Sequence, residues 1–370
     1  MNNSNISVDF VKDKLQYLDK KKQQTTYKIN YITKYVEKWL YVVANVPEIK
    51  NVNFIDCMCN AGIYQDGDLG SSMRVLELFN AVAAEHRDKE FYILLNDYDA
   101  DRVSIIAEIV KTIGCAKNVH CCFSNQDVNA YLQNDSFFKP FFNCYPKRSA
   151  NLLFVDPYNF CTVKISILRS FLQKNYCELL FNVFTSDFVR NADKAKMQSF
   201  CKEEGIQISN KEEMLEYIKK SLKVGYIQHT FSYEFRTKTN NEIYQIMFFT
   251  PSAKGLEKLK EALWDTFQGK EFHQNSESET ALQLSFFTPQ QDAQMHAQYY
   301  ATEAITLVSN YFSGSIKTFK EIELFVIENT LLKESQILEY VIKPLIKDKR
   351  ITKMNTVQKN NYKQDSYRFN

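Results

Sequence analysis

At 370 residues, 45% hydrophobic and 24% charged, the chain is long enough for about two domains that each bury a core. A formal net charge of +2 excludes a global field that would demand nucleic acid, so any basic surface must be local. Nothing nears the ~18 consecutive apolar residues of a membrane span, and the start Met1-Asn2-Asn3-Ser4-Asn5 lacks an apolar signal core.

Nine cysteines is an odd number, and Cys57, Cys59, Cys121, Cys122 and Cys177 sit in apolar runs. That pattern predicts reduced, strand-buried thiols in a cytoplasmic protein. With no Cys-x-x-Cys and no His-x-x-x-His, no zinc site is expected.

Residues up to about 25 are polar and lysine-rich (Lys12, Lys14, Lys20, Lys21, Lys22) and read as a short helix or a solvated arm. Ile29, Ile32, Tyr35, Val36, Trp39, Leu40 and Val43 then recur at helical spacing, so residues 1–50 form a helical extension packed on the domain after it. Lys28 and Lys34 lie near that face and read as solvated. Next, Val52, Phe54 and Ile55 lead into Asp56-Cys57-Met58-Cys59-Asn60-Ala61-Gly62. Three of only nine glycines, Gly62, Gly67 and Gly70, cluster before a helical pattern (Met73, Val75, Leu76, Phe79, Val82). Strand, glycine-rich turn and helix is how an α/β protein brings its backbone close to a nucleotide-like ligand, although an ordinary βα loop has the same outline.

The runs 90–99, 119–127 and 151–159, each apolar and then ending in polar residues and an acid, and the run 178–184 predict four more strands buried on both faces. Pro157 ends one of them, since it has no amide to give the ladder. Asp56, Asp97 or Asp99, Asp127 and Asp156 all fall at or near strand ends, where they serve either a common ligand or the N-termini of helices. Residues 187–223 are helical and charged, and look like an inserted lid or substrate-facing element. Strands at 226–236 and 243–250, separated by Lys238-Thr239-Asn240-Asn241, pair as an antiparallel hairpin. The predicted fold is α/β and Rossmann-like: a mostly parallel sheet with a terminal antiparallel hairpin, as in S-adenosylmethionine-dependent methyltransferases, over 51–272.

The polar segment His273-Gln274-Asn275-Ser276-Glu277-Ser278-Glu279-Thr280 is the best boundary, and 273–312 reads as linker and helix. Residues 313–370 suggest a small winged helix. From Lys343 onward the basic residues, among them Lys343, Lys347, Lys349 and Arg350, outnumber Asp348 and Asp365, a local stripe suited to phosphate contacts or merely solvated. Pro344 falls inside the helix that would read a groove and is expected to shorten it.

The turn Asp56…Gly62…Tyr64…Asp66-Gly67…Gly70-Ser71, the strand end Phe154-Val155-Asp156-Pro157-Tyr158 and the segment Tyr244…Phe249-Thr250…Lys254-Gly255-Leu256 together resemble the three-Cys-motif partner (TcmP) family. The likeness runs from about Tyr27 to the end. It implies a methyltransferase-like fold and an associated three-cysteine protein similar to radical S-adenosylmethionine proteins. One departure is Asn60, where most of that family places the first glycine of the turn.

If S-adenosylmethionine binds here, Asn60 and Gly62 face its methionyl part, with Asp56 near the amino group. Asp97 or Asp99 would take the ribose hydroxyls and Asp127 the adenine amine. Asp156-Pro157-Tyr158-Asn159 resembles in part the Asp-Pro-Pro-Tyr loop of amino methyltransferases, where acid and proline carbonyl orient a target amine and the aromatic stacks on the base. Asp156 as a plain helix cap is the other reading. The expectation is therefore a methyltransferase acting on a nucleic-acid base or related amine, with DNA or RNA as a possible partner. Its rival is an inactive module of the same fold that binds DNA or a protein.

Overall fold

The computed structural model describes residues 8–142, 148–185, 195–236, 243–269, 289–354 and 362–370. The expected linker at 273–280 and the turn at 238–241 lie outside these. Two compact units divide the chain, Met1–Ser252 and Ala253–Asn370.

In the first unit, α1 (Val8–Asp13) and α2 (Gln23–Ala44) precede β1 (Asn51–Asp56), α3 (Ser71–Glu85), β2 (Glu90–Asn96), α4 (Ala100–Ile113) and β3 (Val119–Ser124). Then come α5 (Val128–Leu132), α6 (Asp135–Phe138), β4 (Ser149–Val155), α7 (Ile165–Lys174) and β5 (Glu178–Phe184). The unit ends with α8 (Ala195–Glu204), α9 (Lys211–Leu222), β6 (His229–Arg236) and β7 (Ile243–Thr250). The seven strands lie in the order β3-β2-β1-β4-β5-β7-β6. Strands β1 to β5 are parallel, with Asp56 paired to Leu95 on one side and Phe154 on the other. Strand β7 runs antiparallel to both β5 and β6. This is the Rossmann-like methyltransferase arrangement, and its central strands are mostly apolar because helices cover both faces. The buried polar residues Asn53 on β1 and Asn151 on β4 bond to each other, Asn53 Nδ2 donating to Asn151 Oδ1 at 2.6 Å.

The face of α2 expected from its spacing is buried from Ile32 to Val43, with Tyr31 added to it, while Ile29 at its start is only half-buried. Buried polar contacts anchor the helix to β5: Tyr31 OH donates to Asn182 Oδ1, and Glu178 at the start of the strand accepts from Tyr35 OH at 2.5 Å and from Trp39 Nε1 at 3.2 Å. Burial pushes the Glu178 carboxyl up to about 7, and these hydrogen bonds only partly offset it.

Helices α8 and α9 depart from expectation. Met214, Ile218 and Leu222, a turn apart on α9, are buried in the same core as Leu168 and Leu172 of α7, and Phe200 meets Phe160 edge-on at 5.6 Å. Neither helix contributes to the residues that line the cleft at the carboxyl edge of the sheet, and both cover the core; residues 187–194 of the expected insertion lie outside the described residues.

The second unit holds α10 (Ala253–Phe267), α11 (Pro289–Phe312), β8 (Ile316–Thr318), α12 (Phe319–Asn329), α13 (Glu334–Ile337), α14 (Lys343–Lys347), β9 (Ile351–Lys353) and β10 (Ser366–Phe369). Its sheet is antiparallel in the order β8-β10-β9. Thr318 and Glu321 close a capping box on α12: Thr318 Oγ1 accepts from the Glu321 amide at 3.2 Å and Glu321 Oε2 from the Thr318 amide at 2.9 Å. Pro344 does not break its helix. A π turn over Leu338–Ile342 joins α13 to α14 directly before it, and so accommodates a residue with no amide to donate.

Candidate functional site

The turn after β1 is built on left-handed backbone. Asn60 has φ 57° and Gly62 φ 74°. Asparagine tolerates that region because its short amide bonds locally, and here Asn60 Oδ1 accepts from the Ala61 amide at 2.6 Å. Gly62 has no such latitude, since a Cβ there would lie 2.8 Å from Ile106 Cγ1 on α4. The Gly70 amide donates back to the Gly62 carbonyl at 2.8 Å, closing the loop at the start of α3.

The acids at the strand ends separate into different roles. Asp56 is buried under the turn, accepting from Ser72 Oγ and from the Met58 amide at 3.2 Å. Burial pushes its carboxyl up to about 7, and it does not line the cleft. Asp97 ties two loops together: Oδ2 accepts from the Asn60 amide at 2.8 Å and Oδ1 from the Asp99 amide at 3.0 Å. Asp99 caps α4 through the amides of Asp101 (2.9 Å) and Arg102 (3.3 Å). Asp127 caps α5 in the same way through Asn129 (2.9 Å) and Ala130 (3.3 Å).

Asp156 faces the cleft but is engaged: Lys28 Nζ of α2 lies 2.6 Å from its Oδ1 and 4.6 Å from the centre of the Tyr244 ring. The solvated reading of Lys28 is thus replaced by a half-buried ion pair. Pro157 is buried and Tyr158 exposed beside it.

A cleft of about 370 Å³ lies at the carboxyl edge of β1 and β4, lined by Asn60, Gly62, Tyr64, Asp156, Tyr158 and Tyr244 among others. That volume falls within the range of small-molecule sites, about 300–1,000 Å³. Its outer wall is a strap, residues 15–22. The Gln65 amide donates to the Asp19 carbonyl at 3.1 Å, and Gln65 Nε2 to the Leu18 carbonyl at 2.7 Å. Lys21 pairs with Asp68, and Lys14 with Glu108 at 2.8 Å. Burial and the nearby Asp19 carboxylate outweigh the Arg102 guanidinium at the Tyr158 phenol and push it up to about 12.

Sequence reasoning missed Asp19, Lys28 and Arg102. The available signal was slight: Asp19 is the acid heading Lys20-Lys21-Lys22, and Arg102 follows the Asp99 cap by three residues.

In the second unit Lys343, Lys347, Lys349 and Arg350 are all exposed. Lys343 pairs with Glu339, while Lys347, Lys349 and Arg350 have no ion-pair partner among the described residues. Lys353 and Lys363 of the same stripe are held by Asp365 and Glu334. Among the described residues no group of three or more His, Cys, Asp or Glu is placed to hold a metal, and no helix is long and apolar enough to cross a membrane.

No protein-family model matches the sequence, and no curated protein matches it. Solved structures do align with it. A candidate class I S-adenosylmethionine-dependent methyltransferase of Listeria monocytogenes shares 13% identity over 59% of this chain and 59% of its own, with a TM-score of 0.31. The chain therefore spans about three-fifths of that structure's length. M. capricolum TrmK, in complex with S-adenosylhomocysteine, shares 14% over 82% of this chain and 96% of its own, TM-score 0.28. MNMC2 from Aquifex aeolicus shares 8% over 70% and 69%, TM-score 0.31. It is the strand order and register of the sheet that define the fold.

Proposed function

We propose that the chain is an S-adenosylmethionine-dependent methyltransferase acting on a nucleic-acid base or related amine. The observation that carries the reading is the cleft at the carboxyl edge of β1 and β4, beside a left-handed Asn60–Gly62 turn that Asp97 ties to the end of β2. Brought near a nucleoside, each Asp97 oxygen keeps a lone pair beyond the one its backbone amide uses, enough to accept from ribose hydroxyls. The Asn60–Gly62 backbone would hold the amino-acid end. The sulfonium cofactor, when bound, supplies an electrophilic methyl group. Asp156 Oδ2 and the Pro157 carbonyl are the acceptors for an incoming amine, with Tyr158 beside them for stacking. Asp56 belongs beneath the turn, where it fixes Ser72 rather than touching ligand.

The resemblance to the three-Cys-motif partner family supports a three-cysteine protein as partner. The second unit, helices backed by a three-stranded antiparallel sheet with Lys347, Lys349 and Arg350 exposed, suits a winged helix that contacts nucleic-acid phosphate. A second reading, an inactive binding module, is favoured by one observation: Lys28 already takes Asp156 Oδ1 at 2.6 Å.

Calorimetric titration with S-adenosylmethionine and S-adenosylhomocysteine tests the proposal. Binding of both, weakened in Asp97→Asn, is expected. Absence of heat with either ends the enzyme reading, and binding without transfer to any amine or nucleic acid supports the module.

A further inference from the structure

Asp19 reaches across the cleft rather than pairing with the lysines beside it. Its Oδ2 accepts from Asn60 Nδ2 at 2.5 Å and from Tyr158 OH at 3.3 Å, and its Oδ1 from Arg102 Nη2 at 3.1 Å. The three donors come from three loops: the turn after β1, the first turn of α4 and the segment after β4. Each is fixed without help from Asp19. The Asn60 backbone N–H is held by Asp97, and its side-chain Nδ2 also donates to Tyr158 OH at 3.1 Å. Arg102 stands on a helix capped by Asp99, and Arg102 Nη1 donates to Tyr158 OH. Arg102 Nε is buried with no hydrogen-bond partner and stands 3.7 Å from Asp99 Oδ2.

A guanidinium, an amide and a phenol converging on two oxygens is the donor set that recognises a carboxylate. The donors belong to the sheet edge, whereas the carboxylate they hold arrives on the strap. It also gives Asn60 a use that glycine could not serve, a side-chain donor.

We propose that Asn60, Arg102 and Tyr158 form a binding site for a ligand carboxylate, filled in cis by Asp19. The ligand enters by exchanging its carboxylate for that of Asp19, which releases the strap. The proposal rests on reading the cleft as a small-molecule site and deepens it by naming the group recognised. That carboxylate belongs either to the amino-acid end of the methyl donor or to a second, amino-acid-like substrate. Because Asp19 is tethered, it competes at a high effective concentration, and removing it strengthens ligand binding.

The test uses the full chain and three probes: S-adenosylhomocysteine, 5′-methylthioadenosine (the nucleoside without the amino-acid end) and methionine. Amide exchange across 15–22 reads the strap, and calorimetry reads affinity, in the natural protein, Asp19→Asn and Arg102→Gln. S-adenosylhomocysteine should speed exchange of the strap, and 5′-methylthioadenosine should not. Asp19→Asn should loosen the strap without ligand and tighten S-adenosylhomocysteine by about fivefold or more, the low end of coupling between linked sites. It should leave 5′-methylthioadenosine unchanged, and Arg102→Gln should remove the preference between the two.

If methionine opens the strap while neither nucleoside binds, the carboxylate site stands and the methyltransferase reading falls. If 5′-methylthioadenosine binds as tightly as S-adenosylhomocysteine and nothing moves the strap, the methyltransferase reading stands and this proposal is overturned. If no probe binds or moves the strap, both are overturned.

Discussion

Replacing Gly62 with alanine puts a methyl group where two elements meet. The backbone there has φ 74°, and a Cβ would sit 2.8 Å from Ile106 Cγ1 and 2.9 Å from its Cδ1. The left-handed conformation costs a side-chain-bearing residue ~1–2 kcal/mol. Forcing a carbon into a filled contact costs ~1–3 kcal/mol more. Ile106 is fully buried on α4, so it has little room to retreat. The sum, about 2–5 kcal/mol, corresponds in a unit of this size to a fall in Tm of roughly 5–15 °C. Scanning calorimetry of the full chain measures it, with Ile106→Val and the double variant completing a cycle. Ile106→Val removes Cδ1 and relieves part of the clash, so the double variant should be more stable than the two single losses predict, by ~1 kcal/mol. A Gly62→Ala protein within ~0.5 kcal/mol of the natural one, or strict additivity in the cycle, would refute the packing argument.

The same geometry has other measurable consequences. The Glu178 carboxyl rises from 4.5 to about 7 in the folded protein and Asp56 from 3.8 to about 7, so between those limits the folded state binds more protons. Stability should therefore fall as pH climbs from about 4.5 to 7, and Glu178→Gln should remove up to about 3 kcal/mol of that fall in urea midpoints measured at pH 5 and pH 8. In the second unit, Thr318→Ala opens the capping box on α12 and should cost ~1 kcal/mol by thermal unfolding. If the basic stripe meets phosphate, reversing Lys347, Lys349 and Arg350 to glutamate should lower the salt slope of nucleic-acid binding by about 0.9 per lost contact. An unchanged slope would remove that surface from the account.

Much of the frame was legible in the chain. The runs 90–99 and 178–184 hold the strands Glu90–Asn96 and Glu178–Phe184 because a mostly apolar sequence of that length fits a sheet covered on both faces. The spacing from Ile32 to Val43 marked the packing face of α2 correctly. The roles of the acids were less legible, since a cap and a ligand residue look alike until the helix beside them is placed. Asp99 and Asp127 are caps, Asp56 is a buried strut, and only Asp97 and Asp156 remain near the cleft. Residues 187–223 read as a lid or substrate-facing element because they are helical and charged, yet in the described part Met214, Ile218 and Leu222 turn inward to the core. Least legible was the convergence on Asp19. Its partners Asn60, Arg102 and Tyr158 lie 41, 83 and 139 residues away, and no local pattern ties them together.

We propose above all that the carboxyl edge of β1 and β4 holds an adenosyl ligand against the Asn60–Gly62 turn. A crystal structure of the full chain grown with S-adenosylhomocysteine addresses it most directly. Ribose hydroxyls should lie within hydrogen-bond distance of Asp97, and the amino-acid end beside Asn60. Density for the ligand anywhere else on the chain, or none at saturating concentration, would contradict it.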